Sequence, residues 1–489
     1  MITQPIAGLR RQRLLELTTP EAISVPWLRV TLLCLLSAGI FTIIWPGAPT
    51  YDPWAWIIWG REIVHGDLVT TTGPSWKPLP MLFTIPFALF GQAEPDLWLW
   101  VARAFALLGL VAAAQLAVRL GGRLAGALAV VALASTPLYY AYGIQGSSEG
   151  MLVFVCCLAA AAWLDGRRSH AFWWLVAASL LRPEVWLYAA IVGLERIVSS
   201  PRRMPWVGGA GLLTLAAWLI PEKIGSGAYF RAATRANAPN PDSAAFASHP
   251  SLEVLGSMGN LLLWLPAITL LVAVGIAAWA WRFDRGAAPR IPSSAVRDGA
   301  FLTLLALGWV AIVAAMTEGG YAGNPRYLAA PLGLLVPVAI AGLAWAVRLL
   351  ADRGVMLVGE LAVLAALVVV VLNAATRLPG RTKEITYQAE NRAELARIAH
   401  DPAVRRAIVG CRPISAHPLM IPPVAWTFGL HLEELEFKGQ ERGSFIRGRN
   451  IARATALPVL PEGVGLRRVW VSQQIRVLQS CGAGTAAAR

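Results

Sequence analysis

The sequence predicts an all-α polytopic membrane protein of about eleven transmembrane helices, followed by a small extracytoplasmic α+β domain at the C-terminus. Three observations predict it. The chain is 56% hydrophobic and 14% charged, with 21 tryptophans and a mean hydropathy of +0.56, far more apolar than a soluble globular chain. Many of its apolar runs approach or reach the roughly 17 to 25 residues that cross a bilayer as helix. The arginine-rich short loops between them all fall on one side when the chain is threaded in order, as cytoplasmic loops do. The formal charge of +14 therefore marks topology. Nucleic acid is excluded as a partner, because no basic surface interleaved with aromatics is present.

Residues 1–24 carry Arg10, Arg11 and Arg13 but no short apolar core ending in a small-residue cleavage site, which predicts a retained cytoplasmic tail. A transmembrane domain is expected over 25–374. Its first span, Val25 to Trp45, follows those arginines and runs outward, so the loop 46–97 lies outside. Within that loop "KPLPMLFTIPFALFG" is short and holds three prolines, which fits a re-entrant or interfacial segment. Spans then follow at 98–118, returning to "RLGGR", at 124–142 outward, and at 151–164 inward to "DGRRS". A pair broken by "LLRPE" goes up and comes back to "SSPRR". The remaining spans are 205–220, 259–281, 299–316, 328–347 and 355–373. Residues 375–489 form the extracytoplasmic domain: a charged helical piece, "YQAENRAELARIAHDPAVRRAI", then strand-like runs such as "RRVWVSQQIRVLQ".

Cys34, Cys156 and Cys157 lie in apolar runs and read as core residues. Cys411 and Cys481 form a disulfide if the C-terminal part is outside the cell, and are two free thiols if it is inside. No metal-ligand spacing such as CxxC occurs, and no internal repeat points to the inverted halves of a transporter.

Ionisable groups near a membrane are costly and are usually paired or functional. This topology collects most of the unusual ones on the outer side: Asp52, Arg61, Glu62, Asp67, Lys77, Glu149, Arg182, Glu184, Glu318 and Arg326. Carboxylates among several cations suit a reaction that moves an anionic group. Each residue also has a plainer reading. Asp52 before Pro53 suits a helix N-cap, Arg182 suits an ion pair with Glu184, and Glu149 suits a helix N-terminal acid. Trp54, Trp56, Trp59 and Trp76 suit an interfacial aromatic belt as well as a sugar-stacking surface.

The order of these motifs carries a resemblance. A first span, an Asp at its outer end, a helix reading "WxxWGREIVHGD" and then "WKPLP" resemble the first outer loop of the GT-C superfamily of polyprenyl-phosphate-sugar-dependent glycosyltransferases. The nearest pattern is the branch of the protein O-mannosyltransferases and lipid A aminoarabinose transferases. "STPLYYAYGIQGSSEGMLVF" is similar to the family's third-span exit, where Glu149 opens the next helix, and "GNPRYLAAP" to its late "RYLLP" segment. The resemblance covers about residues 25 to 350 and implies a GT-C-like transmembrane fold. It also implies a sugar donor on a polyprenyl phosphate, transferred with inversion on the outer face of a bacterial inner membrane. Asp52 is then the base that takes the acceptor's proton; Lys77, Arg326 and Arg182 hold the donor phosphate; Glu149, Glu184, Arg61, Trp76 and Tyr327 orient substrate. The acceptor is a cell-envelope glycan, lipid or protein, and the sugar a mannose-like hexose or an arabinofuranose. The family's acidic pair is here a lone Asp52, so participation of a divalent cation stays open, and no other cofactor is implied. The alternatives are a transporter or flippase of a lipid-linked glycan, and a membrane scaffold binding partners through its C-terminal domain.

Overall fold

The computed structural model describes residues 3–45, 47–240, 243–262, 291–352, 355–437, 442–448, 460 and 465–481. The span expected at 259–281 lies outside the described residues from 263 onward. Among them, six helical segments are long and apolar enough to cross a membrane, and a bent pair makes up to seven.

After helix α1 (Thr3–Leu17), α2 (Trp27–Ile44) is the first span. Helix α3 (Tyr51–His65) follows, and is buried along most of its length. Residues 78–134 then form a 57-residue helical run, which straight would measure ~85 Å, far more than a bilayer core. Two glycines break it. Gly91 (φ 55°) separates α4 (Pro78–Phe87) and its 3-10 extension from α5 (Glu94–Ala134), and Gly122 (φ 79°) divides α5 inside "RLGGR". The break at Gly122 falls between the two spans expected at 98–118 and 124–142.

Next come α6 (Pro137–Ile144) and α7 (Glu149–Leu164), bent by 113° across the turn between them. Helices α8 (Arg168–Ser179) and α9 (Trp186–Ser199) form the pair around "LLRPE", each shorter than a full span. They are followed by α10 (Met204–Ser226), α11 (Arg231–Ala236), α12 (Pro250–Leu262), α13 (Ser293–Glu318) and α14 (Ala329–Asp352). The core lies where α14 meets α5 and α7: Leu116, Leu120, Val153, Leu335, Ala339 and Trp345 are all buried there. The last span and the first helix of the C-terminal part are one helix, α15 (Met356–His400), which runs through residues 374–375.

Charged clusters mark the two ends of the bundle. At one end Arg119 bonds Asp298 (2.7 Å) and Asp165 (2.5 Å), and Arg123 pairs with Glu21 (2.8 Å). At the other end the Trp98 indole donates to the Gly146 carbonyl (2.8 Å), beside the candidate site. The helical steps from Trp98 to Arg119 span ~30 Å, about the hydrocarbon thickness of a bilayer.

Beyond α15, α16 (Pro402–Gly410) starts on a cap in which Asp401 accepts from the Ala403 and Val404 amides. A five-stranded mixed sheet follows, built from β1 (Ile414–Ala416), β2 (Leu435–Glu436), β3 (Ser444–Gly448), β4 (Arg467–Val471) and β5 (Ile475–Gln479) in the order β2-β1-β3-β5-β4. β1 runs parallel to β2 and β3; β5 pairs antiparallel with β3 and β4. Cys411 and Cys481 are bonded across this unit. Helix α17 (Ile421–Phe428) docks it onto α3, with the Trp54 and Trp426 rings 6.2 Å apart.

Candidate active site

Asp52, Lys77, Arg182 and Arg326 each stand next to a proline in the sequence, and each is delivered at the start of a helical turn. Asp52 lies in the first turn of α3, not at its N-cap; Thr50 holds that position. The Thr50 amide donates to the Gln145 carbonyl (3.1 Å), and its hydroxyl shares a hydrogen bond with Ser147 (3.0 Å). Lys77 and Arg182 precede Pro78 and Pro183 and are extended (φ −140° and −147°), the conformation a following proline favours. The Leu79 amide donates to the Leu180 carbonyl, which sets these two turns side by side. Arg326 follows Pro325 in a 3-10 turn reached through Gly323, whose φ of 59° favours glycine and where a Cβ would fall 2.6 Å from Thr317. Gly146 (φ 76°) likewise turns the chain toward Ser148 and Glu149.

These turns converge. The Arg326 guanidinium donates to the Asp52 carboxylate at 2.7 Å. Lys77 Nζ donates to Ser148 Oγ at 3.0 Å and lies 5.1 Å from the Trp56 ring centre. Arg182 donates to Glu149 Oε1 at 3.2 Å and sits 4.2 Å over the Tyr327 ring. The Tyr321 hydroxyl donates to Glu184 Oε1 (3.2 Å), with its ring stacked on Tyr327 at 4.8 Å. Arg182 therefore pairs with Glu149, where the sequence had offered Glu184 as its partner. Glu149 does open α7, and its carboxylate serves Arg182 as well as the helix terminus.

Burial raises the Asp52 pKa, but the charges of Arg326 and Lys77 and the Arg326 hydrogen bond outweigh it and leave the carboxyl below its ordinary value. Burial and then the nearby Arg182 drive the Lys77 ammonium down to about 7, with Glu149 and Asp52 opposing. This cluster can hold an anion among cations beside an ionised carboxylate. It does not make a cage for a divalent cation. Among the described residues no three His, Cys, Asp or Glu side chains converge, and the neighbours of Asp52 are cations.

Two expected site residues lie elsewhere. Arg61, nine residues along α3 from Asp52, donates to the Leu430 carbonyl (2.8 Å) and stands 5.4 Å over the Trp426 ring, gripping the C-terminal unit. Trp76 is buried against Trp59 (5.5 Å), and its indole donates to Ala217. Trp54, Trp56, Trp59 and Trp76 are all buried, so they are packing residues of the loop and form neither a membrane belt nor an open stacking surface. Burying the rings fixes a loop that holds charges.

Sequence reasoning missed Tyr321 and Ser148 as partners in the cluster. Ser148 was visible as the polar residue next to Glu149, and Tyr321 as an aromatic six residues before Tyr327. It also missed the docking group in which His431 Nδ1 lies 2.8 Å from Glu62 Oε1. The turn-rich segment after α10 bridges the site loops: Arg231 donates to the Gly73 and Pro74 carbonyls (2.9 and 2.5 Å), and Ser243 to Ala322.

No family model and no curated protein matches the sequence. Solved structures do. ArnT from Cupriavidus metallidurans bound to undecaprenyl phosphate aligns at TM-score 0.53 and 12% identity, over 94% of this chain and 99% of that one. The apo state of the same protein aligns at TM-score 0.36 and 14% identity, over 93% and 98%. An oligosaccharyltransferase from Archaeoglobus fulgidus in the apo form aligns at 0.43 and 12%, over 72% and 55%. The fold is thus like that of the ArnT structure, which the chain matches over nearly its whole length.

Proposed function

We propose that the protein is an inverting glycosyltransferase that moves a sugar from a polyprenyl-phosphate donor to a hydroxyl of a cell-envelope glycan, lipid or protein on the outer face of the membrane. One observation carries this: a buried carboxylate, Asp52, stands among Lys77, Arg182 and Arg326 at one end of the helical bundle. The fold adds support, since the ArnT structure of the same architecture holds undecaprenyl phosphate.

In the reaction the acceptor oxygen attacks the anomeric carbon from the face opposite the phosphate. The bond from that carbon to the phosphate oxygen breaks, and the electron pair leaves with the polyprenyl phosphate. Asp52 takes the acceptor's proton as its oxygen forms the new bond, because a sugar hydroxyl is a poor nucleophile while protonated. The leaving phosphate gains negative charge and needs no proton; the three cations stabilise that charge. The sugar is a mannose-like hexose or an arabinofuranose.

Purified protein supplied with a panel of labelled polyprenyl-phosphate sugars and crude envelope acceptors tests the proposal. Asp52→Asn should keep donor binding and lose about 100-fold or more in turnover. Donor bound by both proteins with no transfer by either would move the function to lipid transport.

A further inference from the structure

The C-terminal sheet sets two arginines directly opposite each other. In the antiparallel pairing of β3 with β5, Arg447 stands across from Arg476, where facing side chains lie ~5 Å apart at Cβ. Strand alternation decides their face. Ser444 donates to the Ile408 and Cys411 carbonyls and Gln479 to the Ala407 carbonyl, so the face they share is turned to α16. Arg447 and Arg476 lie on the other face with Phe445 and Leu478, and the exposed Arg468 of β4, opposite Leu478, joins them there. Like charges directly opposite on a sheet are destabilising. Among the described residues nothing offsets this pair: neither guanidinium meets a carboxylate, and the Nε of each is buried and donates to no acceptor. Burial, and then the charge of Arg476, lower the Arg447 pKa from its ordinary value. The Nη ends are not sealed, since both residues are only half-buried. The excess of positive charge extends through the unit, where Lys and Arg outnumber Asp and Glu nearly two to one over residues 375–489. In a domain of this length such an excess is not a topology signal.

We infer that Arg447 and Arg476, with Arg468 beside them, form an anion site for a phosphate group, presented by a soluble phosphate ester or by a lipid headgroup. A guanidinium donates through a rigid planar fork, and two forks side by side share the several oxygens of one tetrahedral phosphate. A carboxylate has two oxygens and satisfies one fork. A bound phosphate supplies the counter-charge that the strand pairing lacks. The site belongs to a different unit from the Asp52 cluster, and the inference does not rest on the proposed transfer reaction.

Arginine-specific modification by phenylglyoxal, followed residue by residue by mass spectrometry on the full-length protein in detergent, tests it. Inorganic phosphate, glycerol 3-phosphate, acetate and chloride are compared at equal ionic strength, and bicelles with and without phosphatidate form a second series. Modification of Arg447 and Arg476 should slow about tenfold once the phosphate or its ester exceeds its Kd by that factor. Arg467, exposed on the opposite face, should react at an unchanged rate. Protection by phosphatidate bicelles alone would assign the phosphate to a lipid headgroup. In Arg476→Gln, with folding confirmed by a thermal melt, Arg447 should lose its protection. Equal slowing in acetate or chloride, or at Arg467, would reduce the effect to charge screening and overturn the inference. So would protection of Arg447 that survives in folded Arg476→Gln, or no protection by any phosphate, free or lipid-borne.

Discussion

Raising the pH should weaken donor binding through Lys77. Burial is the largest influence on its ammonium, Arg182 adds to it, and the pKa falls from 10.5 to about 7, so the lysine of the free site is about half protonated at neutral pH. A phosphodiester binds the protonated form and draws the pKa back up. The sign follows: affinity is full below about 7 and is lost as the pH rises through it, until the bound form also deprotonates. If the bound lysine returns to 10.5, linkage predicts a Kd weaker by about 70-fold at pH 9 than at pH 6.5. The assay is equilibrium binding of the methyl diester of undecaprenyl phosphate, whose single charge does not titrate in this range. Lys77→Arg carries a fixed charge and should bind with a nearly flat profile. A flat wild-type profile, or an equal slope in Lys77→Arg, would refute the assignment of Lys77 to the phosphate.

Two further predictions concern the C-terminal unit. Burial lifts the Glu62 carboxyl above its ordinary range, and the hydrogen bonds from the Val69 amide and His431 do not cancel it. A raised carboxyl contributes stability that is complete below its unfolded pKa and is lost as the pH rises through the folded one. Glu62→Gln keeps an oxygen for the Val69 amide and turns its NH2 toward His431 Nδ1, which accepts in one tautomer, so it should melt no lower than wild type at pH 8, while Glu62→Leu strands both partners and should cost about 1–3 kcal/mol; calorimetry at pH 5.5 and 8 checks both. Cys411 and Cys481 close a separation of 70 residues, worth about 4 kcal/mol by chain entropy. Cys481→Ser should therefore expose the sheet to limited proteolysis while donor binding survives, and a digestion pattern like that of wild type would count against the estimate.

Apolar run length and arginine placement made much of the helical framework legible, and the "RLGGR" break and the final hairpin fell where their residues pointed. The shortfall has a physical cause. A run such as "AFWWLVAASLLRPEVWLYAAIV" is apolar enough to read as two crossings, yet α8 and α9 have 12 and 14 residues. Hydropathy reports apolar side chains, and cannot tell two short helices from a pair of full-length spans. The same limit misplaced the tryptophans, since an interfacial ring and a core ring have one composition.

The site was half legible. Asp52, Lys77, Arg182, Glu149, Glu184 and Arg326 were picked out as charges among apolar runs, and the structure brings them together. Partner choice was not readable. Arg182 stands two residues from Glu184 and feels its charge, but its hydrogen bond goes to Glu149, which arrives from α7, far away in the sequence. Arg61 shares α3 with Asp52, but nine residues of helix put them ~13 Å apart along its axis. One end of α3 thus serves the charge cluster, and the other serves the C-terminal unit.

The Asp52–Arg326 pair bears on how a base and a phosphate ligand share one site. In the proposed reaction Asp52 must take a proton, yet Arg326 and Lys77 hold its carboxyl below the ordinary value against the pull of burial. Such a carboxylate is a poor base. The donor's phosphate changes this, because it offers Arg326 a second anion with oxygens spaced for two parallel hydrogen bonds. As Arg326 turns toward the phosphate, the strongest influence lowering Asp52 weakens while its burial stays. Its basicity then rises only when a donor is in place. In the free protein the partly exposed Arg326 compensates the buried Asp52 carboxylate, which alone would carry a large desolvation cost. The pair therefore stabilises the resting site and ties the activation of the base to the arrival of the leaving group.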